Sequence, residues 1–275
     1  MDIQSFFARV ASGNLDAVRQ QLDTSPFLTH AHNPDKEAWD EGSPLHSAAK
    51  HGHLEIATLL VERNAEVYSH PHASYPAVII AAWNKKQDLV DYFLKDIPDQ
   101  AHGTNRLGVT IHLAARQGWT DIVRQHIAAD PLAIHQRGWI GDTPLHWPAH
   151  NGDVETVELL LDAGADIEAD EINAYGGKPL HWASEHEPET VKFLLQRGAD
   201  VNARNEKTDS NHLGFTPLIM NASQKDDCAE VTQLLIEAGA DIDATDALSK
   251  TALDHALATG LERIPAVLRQ HGAKQ

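Results

Sequence analysis

Cysteine is nearly absent: Cys228 stands alone among 275 residues, which excludes an internal disulfide framework and fits a reducing compartment. Its neighbours in "KDDCAEVTQLL" are acidic, a setting that does not favour a reactive thiolate, so it reads as structural. Basic residues are scarce too, 22 against 40 acids, which gives a formal charge of −18 at pH 7. A surface this acidic repels phosphate backbones and anionic lipid. Nucleic acid and membrane are therefore not expected as partners, whereas a protein with a basic surface would be drawn in. No apolar run approaches the ~18–20 residues that a membrane helix needs. The opening "MDIQSFFARVASGNLD" has an acid early and no apolar core followed by small residues, so it does not read as a secretory signal. A cytoplasmic monomer is the expectation. Also missing are a His-Glu-x-x-His pair, a phosphate loop and a nucleophile elbow. No cofactor is called for by motif, and no catalytic residue is assigned.

What the chain has is repetition. "GDTPLHWPAHNGDVETVELLLDAGADIEA" begins at Gly141, "GSPLHSAAKHGHLEIATLLVERNAEV" at Gly42, "GKPLHWASEHEPETVKFLLQRGADVNA" at Gly177 and "FTPLIMNASQKDDCAEVTQLLIEAGADIDA" at Phe215. The spacing is about a third of a hundred residues, the period of stacked helical repeats. Each copy holds a Thr-Pro-like start, a short apolar helix, a turn, a second helix and, in the regular copies, a Gly-Ala-Asp exit. These motifs resemble the ankyrin repeat. Equivalent positions of the box proline are Pro44, Ala77, Thr110, Pro144, Pro179, Pro217 and Ala252, and a divergent copy, "FFARVASGNLDAVRQQL", opens the chain. The resemblance implies an all-α ankyrin-repeat solenoid of eight helix-turn-helix units with short hairpin fingers. It reads as one domain over 1–275: an N-terminal cap unit and connection at 1–41, six internal units over 42–248 and a C-terminal cap unit at 249–275.

The local expectations follow from elementary chain physics. Proline at the start of a first helix loses nothing by lacking an N–H. The Gly of Gly-Ala-Asp is placed to adopt the left-handed conformation that ends a helix. No unit can bury its own apolar stripe, so Leu54, Ala57, Leu60 and Val61 in the second repeat, and Leu160 and Leu195 later, are expected to be covered by neighbouring helices. Polar Arg9, Arg19, Gln20 and Gln21 suit the wet face of one cap, and Arg263, Arg269 and Gln270 that of the other. The third repeat, "YPAVIIAAWNKKQDLVDYFLKDI", lacks both the Pro-Leu-His box and the Gly turn. The insertion "RNEKTDSNHLG" is polar and expected to be loosely held.

Eighteen histidines need an account. The ankyrin resemblance assigns His46, His112, His146 and His181 to the box, where the imidazole ties turn to helix through backbone hydrogen bonds. That explains one member of each i,i+4 pair, His146/His150 and His181/Glu185, without a metal. A second group, His30, His102 and His135, with His70 one residue further on, shares a column just after the second helices. Such a row could hold a metal or a small molecule, or shuttle protons, and this alternative site, with catalysis as its furthest extension, stays open beside a solvated row of turn residues.

The ankyrin resemblance also implies a recognition surface at the finger tips and first-helix ends. The tips carry Trp39, Tyr75, Trp139, Tyr175 and Phe215, with Ile140, Asp142 and Leu213 beside them; large aromatics where small polar residues are usual have the composition of binding hot spots. The first-helix ends add Trp83, Asn84, Arg116, Gln117, His150, Asn151, Glu185 and His186. Trp147 and Trp182, directly after the box histidines, read as packing between repeats. The function implied is noncovalent protein–protein recognition through the concave face and tips, with inhibition or scaffolding of a basic partner as its concrete forms.

Overall fold

The periodicity becomes eight helical hairpins in a computed structural model that describes residues 3–35, 41–67, 76–96, 110–138, 140–172, 176–208 and 210–274. The pairs are α1 (Ile3–Ala11) with α2 (Leu15–Thr24), α3 (Pro44–His51) with α4 (Leu54–Glu62), and α5 (Ala77–Trp83) with α6 (Gln87–Asp91). Then follow α7 (Ile111–Arg116) with α8 (Thr120–Ala129), α9 (His146–Asn151) with α10 (Val154–Asp162), and α11 (Pro179–Ala183) with α12 (Pro188–Gln196). The last are α13 (Pro217–Ser223) with α14 (Ala229–Glu237), and α15 (Ala252–Thr259) with α16 (Arg263–Gln270). Three hairpins belong to an N-terminal block ending at Thr110 and five to a C-terminal block beginning at Ile111. Among the described residues the only extended pairing is one isolated bridge, Thr245 with Thr251.

The start of each first helix follows its sequence. Box hydroxyls cap the helix: Thr216 Oγ1 accepts from the Ile219 N–H at 3.3 Å, and Thr251 Oγ1 from that of Asp254 at 3.2 Å. The exit is equally specific. Gly164, Gly198 and Gly239 have φ of 95°, 93° and 94°, as the Gly-Ala-Asp motif predicts, and the aspartate that follows accepts from the backbone two residues on. In the second repeat Asn64 takes the same left-handed role (φ 63°), and in the third Lys85 (φ 56°) turns the chain where other repeats use glycine. A backbone bond closes each described finger, as between the Glu171 N–H and Gly177 O at 3.0 Å.

Apolar burial runs along both helices of every hairpin. In the C-terminal block Leu145, Val157, Leu160, Leu180, Val191, Leu194, Leu218, Val231 and Leu235 are all sealed from solvent. Three side-chain expectations need correction. Leu194, not Leu195, is the buried leucine of α12, because the stripe is shifted by one residue. In α4 the sealed residues are Ile56, Ala57, Leu59 and Leu60, while Leu54 and Val61 are half-buried. Gln21 lies inside the N-terminal cap, whereas Arg9, Arg19, Gln20, Arg263, Arg269 and Gln270 are exposed. The 205–214 insertion is pinned at both ends: the Asn205 N–H donates to Phe215 O at 2.9 Å, and the Gly214 N–H to Asn205 O at 2.7 Å.

Candidate functional site

The box histidines set the frame on which the site is built. In His146, Nδ1 accepts from the Thr143 N–H at 3.0 Å and Nε2 donates to Gly177 O of the next finger at 3.2 Å. His181 repeats this one hairpin later, accepting from the Lys178 N–H at 3.3 Å and donating to Phe215 O at 3.0 Å. Burial pushes both imidazoles down to about 4, so they are neutral, with the proton on Nε2. Each ring therefore bridges two repeats and fixes where α9 and α11 begin.

From those fixed starts, successive helical turns carry side chains to one place. Trp147 and Trp182 follow the box histidines and meet edge to face, with centroids 5.2 Å apart. One turn further, near the end of α9, the His150 ring packs edge-on against Trp147 and Trp182, at 5.9 Å from each. Arg116, closing α7, lays its guanidinium over Trp147 at 3.9 Å, a cation–π contact. Asn151 spans the same step, its Nδ2 donating to Arg116 O at 2.8 Å. Beyond α11 lie Glu185 and His186; the His186 ring is 4.9 Å from that of His150. Burial lowers the His150 pKa, helped by nearby His186, and burial raises that of Glu185. Trp182 is buried, while Arg116, Trp147, His150, Glu185 and His186 are half-exposed. The result is a rigid aromatic base carrying polar groups of both signs.

The structure thus brings together five of the expected first-helix-end residues, Arg116, His150, Asn151, Glu185 and His186, with half-buried Gln117 beside Arg116 in the chain. It adds Trp147 and Trp182, which pack between repeats as expected but also join the polar groups into one surface. The available signal was their register: both follow a box histidine. In the N-terminal block, Trp83 and Asn84 stand at the equivalent helix end, both half-buried, with Asn84 Nδ2 bonded to Ile80 O at 2.9 Å.

The tips are a different matter. Trp39, Tyr75, Trp139 and Tyr175 lie outside the described residues. Phe215 is only 3 % exposed, its ring held between His212 and His255 at 4.7 and 4.9 Å, so it supports its finger from within rather than facing solvent. Asp142, 3 % exposed, is likewise internal, and burial raises its pKa; Ile140 and Leu213 are half-buried. Of the histidine column, His70 and His102 lie outside the described residues. His30 and His135 are exposed and each ends a short 3-10 turn, Pro26–His30 and Pro131–His135, in different blocks.

Known proteins agree with this architecture. The chain is 30% identical over 190 residues to "Probable E3 ubiquitin-protein ligase XBOS32" of Oryza sativa subsp. japonica, covering 56% of this chain and 36% of that protein. It is 26% identical over 255 residues to "Putative palmitoyltransferase ZDHHC13" of Danio rerio, covering 90% and 36%. It is 25% identical over 265 residues to "Transient receptor potential cation channel subfamily A member 1" of Homo sapiens, covering 93% and 23%. The chain thus spans little more than a third, at most, of the length of these relatives. Among the described residues no helix is long and apolar enough to cross a membrane. The family described as "Ankyrin repeats (3 copies)" matches residues 6–103 and 111–205, and "Ankyrin repeat" matches 213–247; with its box histidines, Gly-Ala-Asp exits and eight hairpins, the chain belongs to the ankyrin repeat family, whose repeats mediate protein–protein interaction.

Proposed function

We propose that this chain recognises another protein noncovalently through the first-helix ends of its fourth to sixth repeats, as a cytoplasmic monomer. The observation that carries the reading is the Arg116–Trp147–Trp182–His150 stack, because arginine and tryptophan are the residues in which binding energy concentrates. Here they are already ordered by one another, so little side-chain entropy remains to be lost on docking. In this proposal Trp39, Tyr75, Trp139 and Tyr175 also take part in partner binding, as do Trp83 and Asn84 of the N-terminal block. With a net charge of −18, the chain steers a basic partner, whose activity it inhibits or whose position it fixes.

The test is affinity capture from native lysate with wild type and Arg116→Ala/Trp147→Ala side by side. The reading expects a stoichiometric protein on the wild type that is lost from the variant, with circular dichroism unchanged. Equal capture by both, or none by either, overturns it.

A further inference from the structure

One side chain on this face lacks what buried polar atoms ordinarily have. Nδ1 of His150 is shut off from solvent and makes no hydrogen bond of ordinary distance and angle to a described residue, with the Trp182 backbone near the ring, although buried polar groups nearly always find a partner. Oε2 of Glu185 stands 3.7 Å from that nitrogen, beyond hydrogen-bond reach. One ligand atom from each of His150, Glu185 and His186 lies within 4.8 Å of the others. Donors bound at ~2.1 Å to a single ion stand about 3–4 Å apart, so small rotations of half-exposed side chains close the set.

We propose that His150, Glu185 and His186 form a binding site for a zinc-class divalent cation. Two imidazoles and one carboxylate select zinc, cobalt or nickel over magnesium or calcium, which prefer oxygen alone. The ligands come from the ends of α9 and α11, and those ends are held in register by the His146 and His181 bridges and by the Trp147–Trp182 contact. The ligand partners of His150 are not i+4 neighbours on its own helix but residues of the next repeat. The three protein ligands leave a fourth position on the half-exposed side, for water or for a group of an incoming protein. The site stands whether or not the face docks a protein.

The experiment is titration of the full chain with Zn²⁺ by calorimetry and with Co²⁺ by visible absorption. One equivalent of Co²⁺ is expected to give the intense bands of a four-coordinate ion. Glu185→Gln, which preserves shape, should weaken binding by at least about tenfold, and His150→Ala/His186→Ala should abolish it with the helical dichroism retained. His271→Ala, at the exposed C-terminal end, should leave binding unchanged. Absence of uptake by the wild type, a weak six-coordinate Co²⁺ spectrum, or Glu185→Gln binding like the wild type overturns the site.

Discussion

The residue six positions after the box-proline position has one register but two fates. In the N-terminal block Lys50 is bound to Glu41 at 2.9 Å, and Ser47 donates to the other carboxylate oxygen at 2.8 Å. Burial alone would raise the Glu41 pKa, but these two donors outweigh it and hold the carboxyl below its ordinary value. In the C-terminal block the equivalents are Arg116, His150 and Glu185, and the residue one turn earlier is tryptophan in two successive repeats, where the second repeat has Ser47 and the third Ile80. There Arg116 and His150 rest on tryptophan rings, and Nδ1 of His150 makes no hydrogen bond of ordinary distance and angle to a described residue. The array thus gains a specific surface by changing one column, while the box histidine persists in the second, fourth, fifth and sixth repeats as His46, His112, His146 and His181.

The frame can be broken first. Leu194→Ala should cost about 2–5 kcal/mol and Leu195→Ala clearly less, because only the former is sealed; equal losses in urea unfolding would contradict the shifted stripe. His181→Ile copies the third repeat, where Ile79 occupies the box position. It should cost about 2–4 kcal/mol, since it strands the Lys178 N–H and Phe215 O, and a neutral result would show that the bridge does not matter.

The same bridges predict a pH dependence. His146 and His181 lie at about 4 in the folded chain against an ordinary 6.5, so the unfolded chain takes up protons first as pH falls. Their contribution is complete above the unfolded value and is lost as pH drops from there towards about 4, at up to about 1.4 kcal/mol per pH unit for each histidine. Glu185 and Asp142, whose carboxyls burial raises, oppose this loss in part. Unfolding midpoints that stay level between about pH 7 and pH 5 would contradict the neutral bridges. The smallest effect is expected at the exits. Gly198→Ala meets no atom within 4 Å and bears only backbone strain at φ 93°, so it should cost about 1–2 kcal/mol; Gly198→Asn, copying Asn64, should cost less.

Much of this was legible in the chain itself. Box, turn and exit residues each have a conformational reason to recur, so the hairpins and their ends could be placed from residue type. Side-chain facing was less secure: the one-residue shift at Leu194/Leu195 and the inward Gln21 depend on how neighbouring helices lean, which local periodicity does not encode. The site was half visible. Arg116, His150, Glu185 and His186 could be chosen by register, but their convergence depends on contacts between repeats more than thirty residues apart in sequence. Phe215 shows the converse, for an aromatic at a finger turned inward between two histidines.

The most direct measurement of the account is partner affinity for two matched variants, Arg116→Ala/Trp147→Ala in the C-terminal block and Lys50→Ala/Trp83→Ala in the N-terminal block. The account predicts a loss above about thirtyfold for the first, the size of a binding hot spot, and a smaller loss for the second, with both variants folded. Wild-type affinity in Arg116→Ala/Trp147→Ala would contradict it.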